Sequence, residues 1–161
     1  MGVAGSGKST IGSAVAADLD LPFVEGDDLH PEENVRKMSA GIPLTDADRK
    51  PWIDAICDKV NRIGGGRCVV ACSALSSEVR RALSAGLVSS VTFIFLEASR
   101  AVLRERLAER SSHYMGVGML DSQLEALSQP VEASRVDANR SPDQIVAEVR
   151  QIVQNLIRGP L

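Results

Sequence analysis

Gly2-Val3-Ala4-Gly5-Ser6-Gly7-Lys8-Ser9 stands almost at the head of a 161-residue chain and fits the spacing G-x-x-x-x-G-K-[ST]. Backbone N–H groups of such a loop wrap the phosphates of a nucleoside triphosphate. Its glycines let the chain turn tightly and approach the oxygens with no Cβ in the way. Directly behind it Ile11, Val15 and Leu19 recur at i, i+4 and i+8, a helical stripe running to about Asp20 that Pro22 ends. A helix so placed aims its N-terminal dipole and free N–H groups at a bound anion. A merely flexible Gly/Ser-rich tail would have no such continuation. The reading places phosphate contacts on Gly2, Gly5, Ser6, Gly7, Lys8, Ser9 and Thr10. Within that set Lys8 reaches the β- and γ-phosphates and the Ser9 hydroxyl ligates Mg²⁺.

A phosphate-binding loop normally hangs between a buried strand and its helix, and here only Met1 precedes Gly2. Loss of a central strand would expose the edges of its two neighbours. The expectation is therefore an upstream apolar segment of about 5–6 residues, the usual strand length.

Further along, Phe23-Val24-Glu25 reads as a short strand, and a helix fits Glu32 to Ser39 behind Pro31. Thr45-Asp46-Ala47-Asp48 offers a capping pattern. Pro51, which a helix tolerates only in its first turn, moves the expected start of the next helix to about Asp48. That helix carries Ile53, Ile56, Val60 and Ile63 and stops at Gly64-Gly65-Gly66. Cys68 to Cys72 is a continuous apolar run, as in a strand buried on both faces, and Val91 to Leu96 is the clearest strand in the chain. Ser76 to Ser84 reads as helix, Ser99 caps a helix to Arg110, Ser134 to Asp137 is a last strand, and Ser141 caps a final helix. Alternating strands and helices imply a parallel sheet with right-handed crossovers. The fold class is α/β, a three-layer P-loop NTP hydrolase/kinase fold: one domain over residues 1–161 with a small helical lid at about 110–130.

Bulk properties narrow the partners. A net charge of −3 leaves no electrostatic footprint for nucleic acid or an acidic membrane, and an aromatic content of 3% argues against base stacking. No run approaches a membrane span and no signal-peptide pattern is present, so the expected compartment is the cytoplasm. Cys57, Cys68 and Cys72 are odd in number and lack metal-type spacing with His30 or His113, which suits reduced structural thiols.

The chemistry centres on Asp27, which lies where the strand gives way to its loop, at the edge where open α/β sheets bind ligands. A carboxylate there accepts the proton of an attacking hydroxyl or orients it; the plainer alternative is that Asp27 and Asp28 cap the next helix. Glu25 points the same way along the strand and could hold a Mg²⁺-bound water. Leu103, Arg106, Leu107 and Arg110 follow i, i+3, i+4, i+7, so both arginines border the apolar stripe. They are either a clamp on the transferring phosphate or surface arginines with buried stems. Beyond them Ser111 to Gly116 is an irregular polar link suited to the hinge of a lid that excludes water.

The run from Gly26 to Trp52, GDDLHPEENVRKMSAGIPLTDADRKPW, resembles the signature of the gluconokinases, small P-loop sugar-acid kinases. Cys72-Ser73-Ala74-Leu75 is similar to their next motif, and Arg110-Ser-Ser-His113 through Ser122-Gln123 to Leu127 and Pro130 to their lid. The likeness covers nearly the whole chain in order. It implies ATP- and Mg²⁺-dependent phosphorylation of the 6-hydroxyl of D-gluconate by a homodimer, on a fold related to shikimate and nucleotide kinases. It also implies Lys8, Asp27, Arg106 and Arg110 as the catalytic set. Asp27, His30, Lys37, Arg49, Ser73, Arg80 and His113 become the sugar-acid contacts, and Ser9 and Glu25 serve the metal. Trp52 reads more simply as packing. The chain departs from the family pattern at Glu25, where aspartate is common, at Ser76, where lysine is usual, and at Ser111-Ser112 and Gly116.

Two other functions fit the same loop: a kinase for shikimate or another sugar acid, and a nucleotide-responsive binding protein without turnover. A GTPase switch lacks support, since no N-K-x-D sequence occurs. Adenine contacts fall, as a guess from the sequence, on Asp137 to Arg140.

Overall fold

The structure, a computed structural model, describes residues 1–64, 66–109 and 120–158. In chain order the elements are α1 (Lys8–Asp18), β1 (Phe23–Glu25), a 3₁₀ turn (Asp27–Leu29), α2 (Glu32–Ser39), α3 (Asp46–Asn61) and β2 (Val69–Ala71). They continue with α4 (Ser77–Gly86), β3 (Ile94–Glu97), α5 (Arg100–Ala108), α6 (Leu120–Glu125), β4 (Ser134–Asp137) and α7 (Pro142–Arg158). No described helix is long and apolar enough to cross a membrane.

The sheet is parallel and comes in two halves. β1 pairs with β2 in the register Val24 to Val70, and β3 pairs with β4 in the register Leu96 to Val136. Met1 and Gly2 lie between the halves. The Met1 amine donates to Ile94 O at 2.6 Å, and Leu96 N donates to Met1 O at 2.9 Å. Met1 thus straddles Phe95 as a residue of a parallel ladder does. On the other side Gly2 N donates to Ser73 O at 3.2 Å. Beside Met1 a groove of about 700 Å³ is lined by residues of the Cys68–Cys72 and Val91–Ile94 segments.

Three apolar clusters hold the layers together. Ile11 and Val15 of α1 meet Leu96, Val136, Ile145 and Val149, which fixes α1 between β3, β4 and α7. Trp52, Ile53 and Ile56 of α3 meet Val79 and Leu83 of α4 beneath β2. Val3 and Ala4 of the phosphate loop pack with Met38, Leu103, Leu107 and Leu120. The loop is therefore packed against the core through Val3 and Ala4.

Several boundaries differ from the sequence reading. α3 starts at Asp46, with Pro51 inside it. A full capping box outweighs the proline: Asp48 N donates to Thr45 Oγ1 at 3.2 Å, and Thr45 N donates to Asp48 Oδ2 at 2.9 Å. Buried Asn34 adds a tie from α2, donating to Asp48 O at 2.8 Å. α1 ends at Asp18, and Asp20 turns left-handed at φ 51°. β3 keeps only the second half of the run from Val91.

Candidate functional site

Loop and helix form the anion cradle together. Gly5 and Gly7 have φ of +82° and +94°, the left-handed region that glycine enters without strain. A Cβ on Gly5 would also press on Leu103 O at 3.1 Å and Leu107 Cγ at 3.2 Å. Gly7 caps α1 and has no side chain to satisfy the helix amides, and the first turn of α1 carries no acid. Those amides are thus left for an anion. Ser6 Oγ is fully buried with no protein partner among the described residues. Lys8 Nζ folds over the loop and donates to Val3 O at 3.2 Å, while Ser9 and Thr10 are exposed. The donors present fit a polyphosphate.

Across β2 stands the acidic side. Gly26 follows β1 and is locked to β2: its N–H donates to Ala71 O at 2.8 Å, and a Cβ would lie 2.6 Å from that same oxygen. Asp27 therefore emerges at the carboxyl end of the sheet. Its N–H donates to Glu25 Oε1 over a long 3.4 Å, which sets the two acids side by side. Cys72, at the end of β2, lies in the fields of both sides. Its thiol is pushed up to about 12 by burial first, the nearby Met1 amine and Lys8 opposing that and Asp27 adding to it. Lys8 and Asp27 thus both act on the Cys72 thiol, at the end of β2 to which Gly2 and Gly26 are bonded.

Asp27 and Arg49 both act on His30. The His30 ring stacks on Trp52 with centroids 4.4 Å apart and planes 7° from parallel. Burial is the main cause holding its pKa below the ordinary histidine value; Asp27 works the other way and Arg49 adds to the lowering. Arg49 pairs with Asp46 at 2.9 Å. Lys37 donates to Asp48 at 2.6 Å, which pushes the lysine up and holds the Asp48 carboxyl down at about 2; the Thr45 bonds lower Asp48 further.

The remaining positions divide. Ser73 is half-buried, its carbonyl bonded to Gly2 N beside the loop. Arg80 is 3% exposed, and its guanidinium is committed inside the protein. It donates to Ala74 O at 3.2 Å, to Leu75 O at 2.8 Å and to the Glu132 carboxylate. Among the described residues it reaches the Ser73–Leu75 segment, which it braces and where Ala74 sits at φ 44°. Arg106 is half-buried in the last turn of α5. Arg110, His113 and the Ser111–Gly116 hinge lie outside the described residues. Of the expected lid, α6 is described, with Leu120 fully buried against Val3 and Ala4.

Two contacts have no counterpart in the residue-by-residue reading. Ala4 N in the phosphate loop donates to Gln123 Oε1 of α6 at 2.7 Å. Trp52 Nε1 donates to Gly26 O at 2.7 Å. The second could have been sought from the pattern, since a tryptophan deep in an apolar helix face needs a partner for its N–H.

The shikimate kinase family pattern matches residues 4–154. The thermosensitive gluconokinase of Escherichia coli K12 is 40% identical over 163 residues, spanning 95% of this chain and 84% of its own. A gluconokinase of Sinorhizobium meliloti 1021 superposes with a TM-score of 0.79 at 40% identity, over 96% of this chain and 93% of its own. An unliganded sugar kinase from Janibacter does so with a TM-score of 0.86 at 34% identity, over 96% and 91%.

Proposed function

The chain belongs to the gluconokinases, within the shikimate-kinase-type P-loop kinases, and we propose that it moves the γ-phosphoryl group of ATP onto the 6-hydroxyl of D-gluconate, giving 6-phospho-D-gluconate. What supports the assignment of roles is that the phosphate loop and the Asp27 turn are tied to the same end of β2, Gly2 N to Ser73 O and Gly26 N to Ala71 O, with Lys8 folded over the loop. Phosphoryl transfer asks the protein for position and charge rather than covalent chemistry. The α1 amides and Lys8 hold the β- and γ-phosphates, so charge that builds in the transition state meets fixed donors. Asp27 orients the 6-hydroxyl and takes its proton as the oxygen attacks in line.

Mg²⁺, when bound, neutralises charge on the phosphate oxygens; the Ser9 hydroxyl would ligate it, with Glu25 holding one of its waters. His30, Arg49, Lys37 and Ser73 line the sugar-acid side, where cations answer the gluconate carboxylate and the histidine answers hydroxyls. Arg80 serves that side by holding the Ser73–Leu75 segment. Arg106, with Arg110, clamps the transferring phosphate, and His113 contacts the sugar acid; family resemblance supports both roles. Resemblance likewise supports a homodimer, with residues 110–130 closing over the site.

Coupled detection of ADP over a panel of D-gluconate, other sugar acids and shikimate tests the substrate. ADP release that depends on D-gluconate above the others is expected. Release driven equally by shikimate, or ATP binding with no release on any acid, would overturn the assignment.

A further inference from the structure

Trp52 touches the Asp27 turn at both of its ends. At the start, its Nε1–H donates to Gly26 O at 2.7 Å, one residue before Asp27. At the end, its indole face lies flat against His30, centroids 4.4 Å apart. The turn between is a single 3₁₀ loop, Asp27–Leu29, closed by Leu29 N to Gly26 O at 3.1 Å. Gly26 is fixed from the other side as well, through Ala71 O. Trp52 itself is 1% exposed and sits among Ile53, Ile56, Cys72 and Val79, so its ring has no freedom to follow a moving loop.

A buried indole N–H needs a partner, but packing does not dictate which one. An apolar ring would fill the same space, and Gly26 O already has Leu29 N as a donor. The indole N–H instead adds a second, rigid constraint on the carbonyl directly before the acid. The stack adds a third on the residue that closes the turn. A short loop carrying a base needs such constraints, because a misplacement of about 1 Å can cost about 10²-fold in rate.

We propose that Trp52 is a positioning residue for phosphoryl transfer: through Gly26 O and the His30 ring it fixes where Asp27 and His30 stand toward the sugar-acid hydroxyl. The proposal rests on the assignment of Asp27 above. Trp52 acts on the turn and not on the nucleotide, since its hydrogen bond and its stack are made to Gly26 and His30. Around His30 the charged groups are Asp27 on its own turn and Arg49 on α3.

Trp52→Phe keeps an apolar ring for the core and for His30 while removing the N–H, and Gly26 O keeps Leu29 N, so the fold is expected to survive. Gluconate-dependent kcat should fall by about 10²-fold with the ATP KM within about twofold of wild type. A folded Trp52→Phe protein with kcat within about twofold of wild type, or with kcat and ATP KM altered alike, overturns the proposal.

A second measurement needs no activity. Trp52 is the single tryptophan of the chain, and an imidazolium stacked on indole quenches its emission. Wild-type emission should therefore titrate with a midpoint below 6.5, and His30→Gln should abolish the step. Emission with no step tied to His30 refutes the stack. If the stack holds and Asp27→Asn keeps full turnover, the role of Asp27 fails and not the contact geometry.

Discussion

Replacing Arg80 by methionine separates a brace from a substrate contact. The side chain is 3% exposed on α4 and its Nη1 reaches two carbonyls, Ala74 O at 3.2 Å and Leu75 O at 2.8 Å. Those oxygens are not equally dependent on it. Leu75 O also accepts from Ser128 N at 3.0 Å, whereas no backbone donor among the described residues reaches Ala74 O. Methionine keeps the apolar stem and leaves Ala74 O unpaired, at about 1–3 kcal/mol, and removes a charged donor from Leu75 O, at about 1.5–3 kcal/mol. Losing a buried guanidinium relieves its own desolvation, so the net cost is about 3 kcal/mol. With a urea slope near 2 kcal/mol/M, the unfolding midpoint should fall by about 1.5 M. Glu132→Gln should do less, because that carboxylate is half-exposed and water replaces its partner. Urea unfolding followed alongside gluconate kinetics decides the matter. A midpoint within about 0.3 M of wild type, joined to a gluconate KM raised about tenfold or more, would show that Arg80 touches substrate and refute the brace.

Lys8→Ala should lower kcat by about 10²–10³-fold, as for loss of one preorganised donor, and a loss below about tenfold would contradict its role at the transferring phosphate. Asp48 is held at about 2 by Lys37 and Thr45, against an ordinary 3.8. An unfolded chain therefore takes up the proton first, and the stability Asp48 provides should disappear as pH falls from about 4 to 2. That slope in acid unfolding should be missing in Asp48→Asn. In a chain whose first residue is Met1 with a free amine, burial lowers that amine from 8.0 to about 5. The folded amine is then neutral where the unfolded one is charged, so stability should fall as pH drops from 8 toward 5. At about 1.4 kcal/mol per pH unit the effect is at most about 4 kcal/mol. Nα-acetylation should flatten that slope in a pH series of urea unfolding, and an unchanged slope would show that the amine reaches water.

What the sequence made legible was what local spacing encodes. The glycine loop, the Ile11–Val15 stripe, the β1 strand, α2 and the carboxyl-edge place of Asp27 all depend on residues a few positions apart. Misreadings arose where a distant partner decided the outcome. Pro51 looked too deep for a helix beginning at Asp46, but the capping box and Asn34 from α2 hold that end in place. Resemblance put Arg80 among the sugar-acid contacts, and nothing local reveals its bond to Glu132 more than fifty positions away. Trp52, read as packing, is packed at 1% exposure, and what went unread is its bond to Gly26 O, 26 positions back. Strand lengths were overestimated in the Val91 run, since apolar character marks burial and not pairing.

Steady-state turnover of Asp27→Asn, with ATP saturating and D-gluconate varied across pH, bears most directly on the roles assigned to Lys8 and Asp27. Asparagine keeps the shape of the side chain and removes the base. A fall of about 10²–10⁴-fold in gluconate-dependent kcat, with nucleotide binding retained, is the expected result. Turnover equal to wild type at every pH would mean that Asp27 only caps its turn, and that the hydroxyl is activated elsewhere.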